Sequence, residues 1–146
     1  MLKSMSDLGE SVAIAFERLI ESGLLAIIAD QYDEKAFGNA IVVLAGANLR
    51  IRIVRDRGDI YADASSVSFP DDWAPLERTL LAVGARIARR EGLLSPEDAA
   101  TLVEQNFPLL DIGLSEAQLD ETRTRLAEMK RFKKAEALRR LKRREV

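Results

Sequence analysis

The chain has 146 residues, 47% apolar and 32% charged, with no Cys and no His. That length predicts one domain with a core of its own, and the composition is that of a charge-rich globular chain rather than a disordered one. The missing residue types exclude disulfides, thiol chemistry, Cys/His zinc sites and an imidazole general base.

The net charge of −2 conceals an asymmetry: residues 130–146 carry nine Lys/Arg against Glu136 and Glu145, about +7, which leaves residues 1–129 at about −9. We therefore expect residues 1–129 to form a single α+β domain and residues 130–146 a basic C-terminal helical extension. The most apolar N-terminal run, Val12 to Ile28, is broken by Glu17, Arg18 and Glu21. Neither a membrane-spanning helix nor a signal-peptide core fits it, so the default expectation is a cytoplasmic protein.

In chain order, residues 5–22 predict an amphipathic helix with Leu8, Val12, Ala15, Phe16 and Leu19 on its apolar side and Gly23 as its C-cap. Residues 24–31 are short and apolar. We read them as a first strand, with Tyr32 to Lys35 as a loop. Strands at 37–45, 49–56 and 59–65 complete a four-stranded antiparallel meander.

The turn at Arg57-Gly58 sets the register of that sheet. A two-residue loop there calls for positive φ at Gly58 and places Asp56 opposite Asp59, Val54 opposite Tyr61, Arg52 opposite Asp63 and Ile51 opposite Ala64. Leu49, Ile51, Ile53, Ile60, Ala62 and Ala64 then share a core face, while Arg50, Arg52, Val54, Tyr61 and Asp63 share the other. Arg52 and Asp63 form a cross-strand ion pair of roughly 0.2–1 kcal/mol. The upstream turn through Gly46, Ala47 and Asn48 fits a two- or a three-residue loop. The two-residue version puts Val42 and Leu44 in the core and Ile41 and Val43 beside Arg50 and Arg52.

Three C-terminal helices are expected to cover one sheet face. The first starts near a cap at Asp71 or Asp72, with Pro75 in its first turn, Leu76, Leu80, Val83 and Ile87 as its core face, and Arg89 and Arg90 at its end near Gly92. The second opens at Ser95-Pro96-Glu97-Asp98 and stops before Pro108. The last is predicted from 116 to about 143, with a capping box of Ser115 and Gln118 and a staple of Leu114 against Leu119. Along it Leu119, Thr122, Leu126 and Met129 step by three and four, and then Phe132, Ala135, Leu138 and Leu141 step by three. That shorter step rotates the stripe about the axis, so the second half projects or frays.

Candidate sites are few. Arg50, Arg52, Arg55 and Arg57 carry guanidinium forks that match phosphate or carboxylate, but Asp56, Asp59 and Asp63 are spaced to neutralise them in place. Arg57-Gly58-Asp59 spells an adhesion tripeptide that a hairpin turn explains residue by residue. The sequence contains no P-loop, no G-x-G-x-x-G, and no Ser in a G-x-S-x-G or S-x-x-K setting. Asp56, Asp59 and Asp63 lack the spacing of a calcium loop. We expect no enzyme activity, no metal and no cofactor.

The leading expectation is a non-enzymatic protein-interaction module, of immunity, antitoxin or regulatory type, that binds its protein partner through Ile41, Val43, Arg50, Arg52, Tyr61 and Asp63. The alternative is nucleic-acid association through Lys130, Arg131, Lys133, Lys134, Arg139, Arg140, Lys142 and Arg143. Self-association through the same helix, giving a homo-oligomer, is a third expectation. A membrane-surface role has less support, because one Phe and two Leu make a thin apolar face.

The pattern Tyr32-Asp33, Phe37-Gly38-Asn39-Ala40, Leu49-Arg50-Ile51-Arg52-Ile53-Val54-Arg55-Asp56-Arg57-Gly58 and Asp63, followed by a helix over Trp73 to Leu81, resembles a group of small bacterial proteins of unassigned function. The likeness covers about residues 24–84, and the most distinctive part is Val54 to Gly58. It implies an α+β domain and brings no catalytic residues with it.

Overall fold

The structure is a computed structural model that describes residues 5–35, 38–88 and 92–144. It is an α+β fold in which five antiparallel strands lie in the order β1-β2-β3-β4-β5: β1 (Ala26–Asp33), β2 (Asn39–Ala45), β3 (Leu49–Asp56), β4 (Asp59–Ser66) and β5 (Ala74–Pro75). Among the described residues six helices complete it: α1 (Asp7–Ala15), α2 (Glu17–Glu21), α3 (Leu76–Ala82), α4 (Pro96–Gln105), α5 (Phe107–Gly113) and α6 (Leu119–Arg144).

The β3–β4 hairpin has the expected register, from Asp56 opposite Asp59 to Leu49 opposite Ser66. Arg57 at φ 53° and Gly58 at φ 87° make both central residues left-handed, the type I′ geometry that matches strand twist. The β2–β3 turn takes the two-residue form. The Gly46 amide donates to the Leu49 carbonyl at 2.8 Å, Leu44 lies opposite Ile51 and Val43 opposite Arg52.

One sheet face is the core. Val42, Leu44, Leu49, Ile51 and Ile53 are fully buried there, in one cluster with Leu8, Val12 and Phe16, Leu76 and Leu80, Val103, Leu110 and Leu119. The first helix docks on this face through a polar clamp. Asp30 on β1 accepts from the Ser6 amide at 2.9 Å and from its hydroxyl at 2.5 Å, while Ser6 Oγ accepts from the Gly9 amide and caps α1. A Cβ at Gly9 would run into the Asp30 carboxylate, so a side chain at that position would displace the clamp.

Several expected boundaries are corrected. The helix expected over 5–22 divides at Phe16, whose backbone leaves the helical region (φ −96°, ψ 13°) with its ring buried. Gly23, at φ 77°, does end it. The first strand starts two residues later than expected and runs through Tyr32 and Asp33, part of the expected loop, because β2 continues to pair with them. Neither Asp71 nor Asp72 caps α3. Residues 74 and 75 instead pair with β4 as a fifth strand, and Pro75 precedes the helix without a side-chain cap.

That helix ends at Ala82 because Gly84 turns left-handed at φ 94°, so Val83 and Ile87 pack on the core from outside a helix. Pro108 both stops α4 and starts α5, which the sequence reading left out. Ser115 does not form the capping box. Its hydroxyl donates to the Ile112 carbonyl, and its own carbonyl accepts from the Leu119 amide at 2.9 Å. Both members of the expected staple, Leu114 and Leu119, are buried. Phe37, expected to open the second strand, and Arg89 and Arg90 lie outside the described residues.

α6 has two regimes. Its inner half packs against α3, with Thr122 Oγ1 donating to the Gly113 carbonyl at 2.6 Å and Arg125 to the Ala82 carbonyl at 3.0 Å. Met129 is the last half-buried residue, and 130–144 are exposed throughout. No helix among the described residues is long and apolar enough to cross a membrane.

Candidate functional site

Strand alternation sends every second residue of β2, β3 and β4 to the face away from the helices. Pairing brings the expected residues together there in rows: Val43, Arg52 and Asp63 in one, Ile41, Val54 and Tyr61 in the next, Ala45, Arg50 and Ser65 on the other side. All six expected partner-binding residues, Ile41, Val43, Arg50, Arg52, Tyr61 and Asp63, therefore lie on one surface. Val43 and Val54 are buried beneath it, outside the helix-covered core cluster.

The polar members are held rather than merely adjacent. Arg52 directs both Nε and Nη2 at a single oxygen, Asp63 Oδ2, at 3.1 and 2.7 Å. The ion pair is partly desolvated, with side-chain exposure of 26% for Arg52 and 11% for Asp63, so solvent screens it less than an ordinary surface pair. The Arg52 guanidinium also lies over the Trp73 ring, 4.5 Å from its centroid, and Arg50 sits 5.4 Å from the same centroid. Such stacking uses the ring's negative face and is worth about 0.5–2 kcal/mol.

Trp73 is the residue sequence reasoning missed. The expected cap at Asp71 or Asp72 puts it in the first turn of a helix, whereas Ala74 and Pro75 pair with β4 and bring the ring over β3. The available signal was the only Trp in the chain standing beside Ala74, which Pro75 disfavours from helical backbone and biases toward the extended region. Its loop is anchored from both sides. Pro70's carbonyl accepts from Ser65 Oγ at 3.0 Å and Arg50 Nη1 at 3.4 Å, and Arg123 of α6 lies over the Phe69 ring at 4.0 Å and meets Asp72 at 3.5 Å. Arg50 Nε is buried with no hydrogen-bond partner.

Burial, with the Asp63 carboxylate beside it, raises the Tyr61 phenol above its ordinary value of 10.0, and Arg52 offsets part of that rise. Tyr61 is therefore a neutral hydroxyl in the physiological range, a donor and acceptor on an otherwise aromatic body.

The four arginines do not converge on one anion. Arg50 and Arg52 face the Trp73 side, Arg55 is on the opposite face and donates to the Gly38 carbonyl at 3.1 Å, and Arg57 is in the turn. A cavity between the end of β4, Phe69, Asp72 and α6 has about 20 Å³, room for a single water. Among the described residues no cluster of three or more Asp, Glu, His or Cys could hold a metal ion.

The eight cations expected to meet nucleic acid are all exposed on α6, from Lys130 to Arg143. Fold and surface together define an α+β protein with one sheet face sealed by helices and the other carrying an ordered aromatic and guanidinium layer. The chain matches no family model, no curated protein and no solved structure.

Proposed function

We propose that this protein is a non-enzymatic binding module that recognises a protein partner through the sheet face carrying Ile41, Val43, Arg50, Arg52, Tyr61 and Asp63, extended by Trp73. One observation carries the reading: Arg52 is fixed by Asp63 and Trp73 at the centre of that face, with apolar neighbours in the adjoining rows. Tyr, Trp and Arg are the residue types that dominate interface hot spots. Side chains already ordered before binding lose little entropy when a partner arrives.

An immunity or antitoxin role is one version of this reading, in which the acidic body, about −9 over residues 1–129, meets a basic protein partner. The absence of His and Cys supports a module that blocks a surface rather than one that does chemistry.

The test is affinity capture from the source organism with three baits: the intact protein, Ile41→Asp with Tyr61→Ala, and a chain ending at Met129. The expected result is one partner retained by the first and third and lost by the second, with the thermal midpoint showing each bait folded. Retention by the double variant removes this face as the binding surface.

A further inference from the structure

We infer that the outer part of α6, residues 131–144, is an electrostatic arm for double-stranded DNA. Fourteen residues make about 21 Å of helix beyond the last half-buried side chain, Met129. A helix segment of that length without tertiary packing is marginal in water. Like charges one turn apart, such as Arg139 with Arg143 and Arg140 with Arg144, make it less stable still. Eight Lys/Arg against Glu136 give the segment about +7, a net charge that suits a polyanion.

The angular distribution chooses among occupants. Met129, Phe132, Ala135, Leu138 and Leu141 advance by three, so each step turns back by about 60° and the five positions wind through about 240°. No continuous apolar stripe exists, which disfavours both a membrane surface and a coiled-coil partner. The cations cover every side of the cylinder.

A rod positive all round fits where negative charge lies on both sides of it. The major groove of B-form DNA, about 12 Å wide between two phosphate backbones, admits a helix of about 10–12 Å diameter. The A-form RNA major groove is too narrow for it. A single strand would draw on aromatic stacking, and Phe132 is the one aromatic residue in the segment.

Residues 131–144 contain no Asn or Gln to read adenine. Cations on every side of the helix suit the phosphates flanking the groove more than one fixed set of base edges, so little sequence preference is expected. The acidic body does not forbid this. An arm of about 21 Å exceeds two Debye lengths of about 8 Å at physiological salt, which screens the body from a duplex at the tip.

Fluorescence anisotropy with a labelled 20-base-pair duplex tests the arm in the full chain, in Arg139→Glu with Arg140→Glu, and in a chain ending at Met129. We expect low-salt binding whose log K falls with log salt at a slope of about −4 or steeper, equal for a duplex of scrambled sequence. The double charge reversal should weaken it at least tenfold and the truncation at least a hundredfold, with unchanged thermal midpoints. A flat titration overturns the proposal. So does equal or tighter binding of an RNA duplex or of polyglutamate, or a solution mass that doubles through residues 131–144 without DNA binding. Loss of partner capture by the sheet face would leave this result untouched.

Discussion

Strand β3 presents two surfaces built on different physical terms. Ile51 and Ile53 face the helices and are stabilised by area removed from water; Arg50 and Arg52, their immediate neighbours, face away and are held by directed contacts to Asp63, Trp73 and Pro70. The first surface tolerates any well-packed apolar set of the right volume. The second depends on individual atoms and on a loop delivered from elsewhere in the chain.

The comparison is tested most severely by Ile53→Ala. This side chain is fully buried, and its truncation leaves a cavity that should cost about 2–5 kcal/mol in chemical denaturation. Arg52→Ala should cost less, about 1–3 kcal/mol, chiefly by leaving the Asp63 carboxylate nearly buried without its partner. Removing both partners together, as Arg52→Leu with Asp63→Leu, should recover part of that loss. If Arg52→Ala destabilises more than Ile53→Ala, the distinction between an area-driven and a contact-driven face fails.

The smallest expected effect is a pH dependence. The Tyr61 phenol is raised in the fold, chiefly by burial and then by Asp63, so the folded state holds its proton more tightly than the unfolded chain does. Its contribution to stability is complete below the unfolded value of 10.0 and is lost as pH climbs from there through the folded value. Tyr61→Phe should flatten the alkaline decline in thermal midpoint relative to wild type. Parallel declines would show that Tyr61 does not sense the open face.

Much of the sheet was legible because local chemistry dictates it. A Gly that accepts positive φ, flanked by alternating apolar and charged residues, defines one register, and that register carries the Arg52–Asp63 pair and the Ile41–Val54–Tyr61 row with it. Helix starts were legible only where the capping residue's own side chain supplies the bond. Ser95 accepts from the Asp98 amide at 3.1 Å, whereas Ser115 turns its hydroxyl back to Ile112 and leaves the capping to its carbonyl. The break at Phe16 leaves the apolar repeat intact, so periodicity passes through it unseen.

From its own pattern of residues the chain determined the meander, the separation of its two faces and the exposed, basic character of its last helix, since each follows from side-chain alternation, turn chemistry or charge repeated along a local segment. The position of Trp73 over Arg52, the clamp of Asp30 on Ser6 and the anchoring of the Phe69 to Asp72 loop by Arg123 were decided only in three dimensions. Their partners are 21, 24 and 51 to 54 residues apart in the sequence, and no local propensity encodes which distant groups a folded backbone will bring together.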